Sequence, residues 1–195
     1  RKIKATCTGK SVLNLFSYTC GIGVVAAFAG ATEVVNVDFS KFALQIGERN
    51  AVLNGISQGF TTIHEDAIPI LLQYSGLGVK GRRAKRSFTK VRSRQFDVVV
   101  LDPPRYAKSP FGLVDTVGDY QSLFKPALLC TREGGSMLVS NNVASVDMEQ
   151  WTDSLVRCAI KAGRKIKDVQ RLKIEDDFPS FDGRQPLKLA WLLLD

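Results

Sequence analysis

Two polar turns in the sequence each follow directly on an apolar segment. Residues 11–16 lead through a short polar stretch to Gly21 and Gly23, and residues 96–101 end in Asp102-Pro103-Pro104. Glycine lets a backbone approach a ligand closely, whereas consecutive prolines fix the chain direction and remove N–H donors. Ligands of open α/β sheets bind at the carboxyl ends of the strands. We therefore predict that both turns face one crevice, where the first holds a cofactor and the second presents a rigid polar edge to a substrate.

The glycine turn is compatible with two kinds of adenosine cofactor. Gly21, Gly23 and Ala26 match the dinucleotide pattern G-x-G-x-x-G/A, and Asp38 follows the next apolar segment, which leaves a nicotinamide-dependent oxidoreductase open. In that pattern, however, the first glycine follows the strand almost at once, whereas here residues 17–20 intervene. The longer polar turn favours a compact ligand with a charged amino-acid end.

Two aspartates could contact such a cofactor or serve a structural purpose. Asp38 would accept hydrogen bonds from ribose hydroxyls, but it could instead cap the helix that begins at Ser40. Asp66, which follows the third apolar segment, would lie beside the adenine and accept a hydrogen bond from its amino group. It could equally be the N-cap of the next helix.

Seven apolar segments of strand length alternate with helical patterns along most of the chain. This alternation predicts an α/β fold in which a mostly parallel sheet carries helices on both faces. The last two strands are joined by a loop, residues 176–186, that is too short for a parallel crossover, so we expect them to be antiparallel. The predicted strands comprise residues 11–16, 33–37, 61–64, 96–101, 136–140, 165–173 and 187–194.

Three predicted helices have clear boundaries. One begins at the N-cap Ser40 and ends at Asn54-Gly55. A second covers about residues 119–132 and ends before Gly134-Gly135, and a third covers about residues 148–162. Each lies between two predicted strands, as an α/β fold requires.

The composition is that of one globular domain. With 195 residues, 45% of them hydrophobic, the chain can bury a single substantial core. Its apolar segments are far shorter than the ~20 residues of a membrane span, so we expect an intracellular protein, in the cytoplasm or an organelle matrix. The four cysteines are widely spaced and His64 is the one histidine, which argues against a metal site or a disulfide framework. Because the first residue is Arg1, we expect this domain to be part of a longer protein.

A basic segment, residues 80–94, carries a charge equal to the excess of the whole chain. The formal net charge is +8, and this segment contains eight cationic and no acidic side chains. Concentrated positive charge attracts polyphosphates, so nucleic acid is the expected partner, while a solvated surface loop is the alternative. Since the segment joins a helix to a strand, we expect it at the end of the sheet opposite the cofactor. Its cations are Lys80, Arg82, Arg83, Lys85, Arg86, Lys90, Arg92 and Arg94.

Several of these features together resemble class I S-adenosylmethionine-dependent methyltransferases. They are VLNLFSYT at residues 12–19, Asp38, Asn50, Asn54-Gly55 and Asp102-Pro103-Pro104. More narrowly, the chain is similar to the bacterial enzymes that methylate large-subunit ribosomal RNA at cytosine C5 or guanine N7. The resemblance implies a Rossmann-like seven-stranded sheet with an antiparallel last strand, S-adenosylmethionine (SAM) as cofactor, ribosomal RNA as partner, and an RNA-binding module before this domain.

The resemblance also assigns roles to individual residues. The implied cofactor-binding residues are Phe16, Ser17, Tyr18, Thr19, Gly21, Gly23, Asp38, Phe39, Asp66, Ala67 and Asp102. Those that would orient the acceptor base are Asp102, Pro103, Asn141 and Asn142. Cations and aromatic rings suit phosphates and unstacked bases, so we expect the substrate to be bound by Arg105, Tyr106, Lys108, Phe181 and Arg184.

The residues after the fifth strand bear on which atom is methylated. Cytosine C5 is a poor nucleophile, and its methylation needs a cysteine thiolate that adds to the ring. The related cytosine enzymes carry this cysteine directly after the fifth strand, where this chain has Ser140-Asn141-Asn142. We therefore expect transfer to a base nitrogen. The alternatives are cytosine C5, a small molecule or a protein as acceptor, and a non-catalytic RNA-binding domain of the same fold.

Overall fold

The computed structural model describes residues 1–174, 180 and 185–195, and these contain nine strands. Six of them agree with a predicted strand to within one residue at each end. The seventh is longer than predicted, and the fifth and sixth form a hairpin that the sequence did not predict. The strands are β1 (Ser11–Leu15), β2 (Glu33–Asp38), β3 (Phe60–His64), β4 (Phe96–Leu101), β5 (Tyr106–Ser109), β6 (Gly112–Asp115), β7 (Thr131–Asn142), β8 (Ile166–Leu172) and β9 (Leu187–Leu194).

Seven of these strands form one sheet in the order β3-β2-β1-β4-β7-β9-β8. β1 pairs in parallel with β2 and β4, β2 with β3, and β4 with β7. β9 runs antiparallel to both β7 and β8. The predicted Rossmann-like sheet with an antiparallel last strand is confirmed. The strand order reverses between β1 and β4, which is where ligands bind in open α/β sheets.

Helices cover both faces of the sheet. They are α1 (Lys2–Thr6), α2 (Gly21–Phe28), α3 (Lys41–Leu53), α4 (Ala67–Tyr74), α5 (Gln121–Leu129), α6 (Met148–Lys161) and a short 3₁₀ helix (Gly81–Lys85). α4, α5 and α6 pack in the larger of two hydrophobic clusters, and α1 and α2 pack in the other. Because central strands such as β4 are covered on both faces, they are almost entirely apolar. The predicted N-cap of α3 is confirmed, since Ser40 Oγ accepts a hydrogen bond from the Ala43 N–H at 3.2 Å.

The predicted helix over residues 119–132 is too long, because its last residues belong to β7. α5 ends at Leu129, and Gly134 and Gly135 lie inside β7 rather than at a helix end. A Cβ atom on Gly135 would lie 2.8 Å from the Arg132 carbonyl oxygen and 2.9 Å from that of Asp97. Since the pairing of β4 with β7 also shifts register here, the glycines accommodate a bulge.

The hairpin of β5 and β6 directly follows the Asp-Pro-Pro turn and was missed by the sequence analysis. Tyr106 pairs with Asp115, and Ser109 pairs with Gly112. A signal was present: Pro110 and a following glycine separate two short alternating segments, which is typical of a hairpin. This hairpin proves important, because it forms a wall of the candidate site.

The basic segment lies differently from the prediction. Its C-terminal end is at the amino edge of the sheet as expected, where the Arg94 N–H donates to the Tyr74 carbonyl at 3.2 Å. Its middle, however, folds back along α4 to the carboxyl edge, where the Thr89 N–H donates to Glu65 Oε2 at 2.8 Å. The prediction that this segment stays at the opposite end from the cofactor turn is therefore wrong. Phe88 explains the fold-back, since its apolar ring packs on Phe111 of the hairpin.

Within the described ranges, no helix has the length and apolarity to cross a membrane. In the same part of the chain, no group of three or more His, Cys, Asp or Glu side chains could hold a metal ion. The four cysteines are free and buried.

Candidate active site

The turn between β1 and α2 holds three non-glycine residues in the left-handed region. Phe16, Tyr18 and Cys20 have φ values of 57°, 48° and 58°. This conformation costs an L-residue roughly 1–2 kcal/mol. Such strain persists only where the surrounding contacts impose it, and it concentrates at functional sites. The turn is therefore a candidate ligand cradle on geometry as well as on sequence.

Asp38 imposes much of that geometry. Its side chain is only 6% exposed. Oδ2 accepts a hydrogen bond from the Tyr18 N–H and Oδ1 accepts one from the Ser40 N–H, both at 2.8 Å. Asp38 thus ties the turn after β1 to the start of α3. The alternative that Asp38 caps this helix is correct in part: Asp38 binds the backbone at the start of α3, but the N-cap residue is Ser40.

The two glycines of the turn have different surroundings. A Cβ atom on Gly21 would meet nothing within 4 Å, and Gly21 is exposed at the first turn of α2. A Cβ atom on Gly23 would lie 2.0 Å from Asn36 Oδ1, whose amide group is buried and accepts a hydrogen bond from Asn14. Gly21 therefore leaves room for a ligand, while Gly23 allows α2 to pack closely on β2.

A cavity of about 550 Å³ opens beside this turn. Its volume is typical of small-molecule sites. Four of the residues predicted to bind the cofactor line it, namely Phe16, Phe39, Asp66 and Ala67, together with Lys108 from the predicted substrate set. Residues that were not predicted complete the lining: His64, Glu65, Pro104, Ala107, Ser109, Pro110, Phe111 and Val114.

Asp66 combines both of the uses considered for it. Its Oδ1 accepts a hydrogen bond from the Ile68 N–H at 2.7 Å, so Asp66 is the N-cap of α4. It also lines the 550 Å³ cavity. The cap leaves the second carboxylate oxygen without a hydrogen bond to any residue that the structure describes, so Asp66 can still accept one from a ligand.

The Asp-Pro-Pro turn presents an exposed carboxylate on a buried support. Pro103 is buried and Asp102 is exposed. Asp102 Oδ1 accepts a short hydrogen bond from Ser140 Oγ, which comes from the end of the neighbouring strand β7. Since Oδ2 has no hydrogen bond to a described residue, the protein positions one oxygen and leaves the other able to accept a hydrogen bond from a ligand.

Tyr120 supports Ser140 from the interior. Its hydroxyl donates to the Ser140 carbonyl oxygen at 2.8 Å. Burial, reinforced by the nearby charge of Asp102, holds the pKa of Tyr120 well above its usual range. The hydroxyl therefore remains a donor at all ordinary pH values. Tyr120 also packs edge-on against Trp151, with ring centroids 5.4 Å apart.

The two asparagines after Ser140 are oriented differently. Asn142 is exposed. Asn141 is fully buried, and its Nδ2 donates to the Thr116 carbonyl oxygen at 2.9 Å. Asn141 is therefore not exposed to a ligand in this structure, and its amide braces the end of the hairpin. Adjacent strand residues point to opposite faces, so the two asparagines could not both face the same side.

The predicted substrate residues are divided between the hairpin and an undescribed loop. Arg105, Tyr106 and Lys108 are exposed beside the Asp-Pro-Pro turn. Phe181 and Arg184 lie outside the described residues. Ser140, Tyr120 and the hairpin are the components that the sequence analysis missed, and only the hairpin had a local signal.

None of the cysteines is poised as a nucleophile. Burial raises the pKa of the Cys7 and Cys20 thiols to about 11, and it also raises the pKa of Cys130 and Cys158. A thiol is reactive only as the thiolate. At neutral pH these four side chains are therefore protonated and inert.

Comparison with known proteins decides the family. Residues 1–193 match the profile of S-adenosylmethionine-dependent methyltransferases. The chain belongs to this family. SAM is accordingly the cofactor of this methyltransferase, and the nicotinamide alternative is set aside.

Curated relatives include two bacterial proteins named Ribosomal RNA large subunit methyltransferase I. The protein from Aeromonas hydrophila is 34% identical over 172 residues, which cover 88% of this chain and 40% of that protein. The protein from Vibrio cholerae is 31% identical over 174 residues, with the same two coverages. This chain thus spans about two fifths of the length of these relatives.

Solved structures share the fold of this methyltransferase. A methyltransferase crystallised with S-adenosylhomocysteine (SAH) has a TM-score of 0.75 and 24% identity. The alignment covers 98% of this chain and 47% of that chain. The SAM-dependent methyltransferase from Agrobacterium tumefaciens has a TM-score of 0.67 and 20% identity, covering 100% and 58%. At these identities the similarity shows the fold.

Proposed function

We propose that this domain transfers the methyl group of SAM to a nitrogen of an RNA base, with ribosomal RNA as the substrate. The observation that carries the proposal is the exposed Asp102 carboxylate, which Ser140 holds two residues before Pro104, a residue that lines the cofactor cavity. The names of the curated relatives support ribosomal RNA, and the basic segment supports a polyphosphate. The buried cysteines favour nitrogen over cytosine C5.

The cofactor would occupy both the cavity and the turn after β1. The adenine would lie in the 550 Å³ cavity between Phe16 and Phe39, within reach of Asp66. Asp38 would accept from the ribose hydroxyls through lone pairs that its two backbone bonds leave free. The open space at Gly21 would admit the carboxylate of the methionine end, which a helix N-terminus favours.

Replacing Asp38 by alanine is expected to weaken binding of S-adenosylhomocysteine (SAH) by about 1–3 kcal/mol, because charge-assisted hydrogen bonds are lost. Isothermal titration calorimetry measures this change. Asp66→Ala is the comparison: loss of the α4 cap costs about 1 kcal/mol of stability, with a smaller effect on SAH affinity. A folded Asp38→Ala protein with unchanged SAH affinity would remove Asp38 from the site.

The transfer itself is a direct displacement. SAM would supply the methyl group: as the base nitrogen bonded to the methyl carbon, the carbon–sulfur bond would break and the sulfur would keep the electron pair. The base gains positive charge as the bond forms. The second oxygen of Asp102 could stabilise that charge, or accept the proton that an exocyclic amino group loses when it is methylated. The protein then acts mainly by positioning and electrostatics.

Serine substitution of each cysteine in turn is expected to change the rate of methyl transfer by less than about tenfold, since no covalent intermediate forms on a thiol. The rate is measured with radiolabelled SAM. The contrary result is capture of the protein on RNA containing 5-fluorocytosine, with capture abolished by one of the serine substitutions. That result would restore the cytosine C5 mechanism.

Neutralising the basic segment is expected to flatten the salt dependence of RNA binding. Counterion release contributes a slope of about 0.7–0.9 per phosphate contact. If all of the four cations in Arg82→Gln, Arg83→Gln, Lys85→Gln and Arg86→Gln contact phosphates, the plot of log affinity against log salt should lose about 3 units of slope. The matched control removes the same charge from other exposed positions, Lys125, Arg157, Lys161 and Lys167. If the slope of log affinity against log salt were equal in the two variants, the segment would be a surface insertion with no specific part in RNA binding.

The direct test is mass spectrometry of nucleosides. Unmodified large-subunit ribosomal RNA is incubated with the protein and methyl-labelled SAM, then digested. We expect label in one nucleoside, on a ring or exocyclic nitrogen. Label on cytosine C5, or label only in protein or small molecules, would contradict the proposal.

A further inference from the structure

The basic segment shares a wall with the cofactor cavity. The Phe88 ring packs edge-to-face on Phe111, with centroids 5.7 Å apart, and Phe111 lines the cavity. Lys90 Nζ lies 3.5 Å from the centre of the Phe88 ring. Phe88 is therefore held between a cation of the segment and the hairpin.

A hydrogen bond makes a second connection to the same wall. Glu65 lines the cavity, and its Oε2 accepts from the Thr89 N–H at 2.8 Å, while its Oε1 accepts from the Asp66 N–H at 2.9 Å. One carboxylate thus joins the basic segment to the cap of α4. A shift of Thr89 would disturb the position of both acidic residues.

Arg83 makes the third connection. Its Nη2 lies 3.1 Å from the position that a Cβ atom on Gly112 would occupy, so the guanidinium covers the turn of the hairpin. Within the part of the chain that the structure describes, Arg94 is the one cation of the segment that forms an ion pair, with Glu33 at 2.5 Å. The seven other cations are exposed. Because like charges repel one another, we expect these cations to weaken the docking of the segment on the hairpin when no polyanion is bound.

We infer that single-stranded RNA bound along the basic segment strengthens cofactor binding. Phosphates neutralise the exposed cations and relieve the repulsion, so Phe88 and Thr89 stay docked against the cavity wall. Because linkage is reciprocal, the cofactor strengthens RNA binding by the same factor. The inference rests on the proposed RNA substrate, but it concerns binding and not methyl transfer.

The test is calorimetric titration of SAH into the protein with and without a saturating 20-nucleotide oligouridine. We expect RNA to lower the SAH Kd at least threefold. Phe88→Ala should reduce this effect below 1.5-fold, and Phe88→Leu should retain part of it. Phe28→Ala is the matched control, because Phe28 is an exposed ring with Lys4 Nζ 5.9 Å from its centre, on α2. It should keep the full effect.

Three outcomes would overturn the inference. They are an SAH Kd unchanged by bound oligouridine, a full effect in a folded Phe88→Ala protein, and no binding of oligouridine. Failure of the proposed function is seen separately in the nucleoside assay. Coupling without RNA methylation contradicts that function alone, while methylation without coupling contradicts only this inference.

Discussion

Replacing Asp102 by alanine is expected to lower kcat for methyl transfer to RNA by about 100- to 1000-fold, the usual effect of removing one preorganised electrostatic group. The Ser140 hydroxyl holds one oxygen of this carboxylate at the end of β4. The other oxygen has no hydrogen bond to a described residue, so we expect its charge to stabilise the positive charge that develops on the base. Asp102 does not line the 550 Å³ cavity. We therefore expect the SAH Kd to change less than about fivefold, which corresponds to less than about 1 kcal/mol.

Single-turnover kinetics with labelled SAM, together with SAH titration, separates the two effects of Asp102→Ala. Asp153→Ala, an exposed aspartate on α6, is the control and should leave both unchanged. Ser140→Ala should lower kcat less than Asp102→Ala does, because the carboxylate remains but is no longer held. A full rate in the folded Asp102→Ala protein would exclude Asp102 from the reaction. Loss of SAH affinity with an intact rate would instead make Asp102 a cofactor ligand.

Replacing Gly23 by alanine is expected to destabilise the fold by about 2–4 kcal/mol, through overpacking and loss of a buried hydrogen bond. The new methyl group would lie 2.0 Å from Asn36 Oδ1 and 2.9 Å from its Cγ. Asn36 cannot move away freely, because its side chain is fully buried and bonded to Asn14 at 2.9 Å. Relief requires α2 to move off β2, which would also displace the strained turn.

Gly21→Ala is the matched variant, because the same substitution falls two residues earlier in the same helix. A Cβ atom there meets no protein atom within 4 Å, so stability should be kept or rise by up to about 1 kcal/mol. The methyl group would occupy the space proposed for the methionine end, so the SAH affinity should fall. Chemical denaturation and SAH titration of both variants test whether Gly23→Ala loses stability while Gly21→Ala loses SAH affinity. Equal stabilities would contradict the packing role of Gly23.

Strand positions and turn positions were predictable because their signals are local. β4 and β9 begin and end at the predicted residues, and Asp102-Pro103-Pro104 follows β4 as expected. Ser40 is the N-cap of α3, as its sequence context indicates. Alternation of strands and helices then restricts the sheet to few arrangements. The family was also predictable, because the chain resembles other SAM-dependent methyltransferases in these same local segments.

Orientation and long-range contact required the tertiary structure. Asn141 and Asn142 are adjacent in sequence, yet only Asn142 is exposed, because the pairing of β7 decides which side chain faces the interior. The hydrogen bond from Ser140 to Asp102 joins residues that are 38 positions apart, so no local pattern could predict it.

The sequence by itself determined the sheet, the two turns and the cofactor family, because hydrophobic period and turn residues act over a few positions. Only the tertiary structure decided that the basic segment reaches the cofactor end. The number of charges does not say toward which edge of the sheet the segment runs. That is decided by contacts with distant residues: Phe88 packs on Phe111, and Glu65 accepts a hydrogen bond from the Thr89 N–H. Contacts between distant residues depend on packing and on which polar groups remain to be paired, and both are properties of the folded chain.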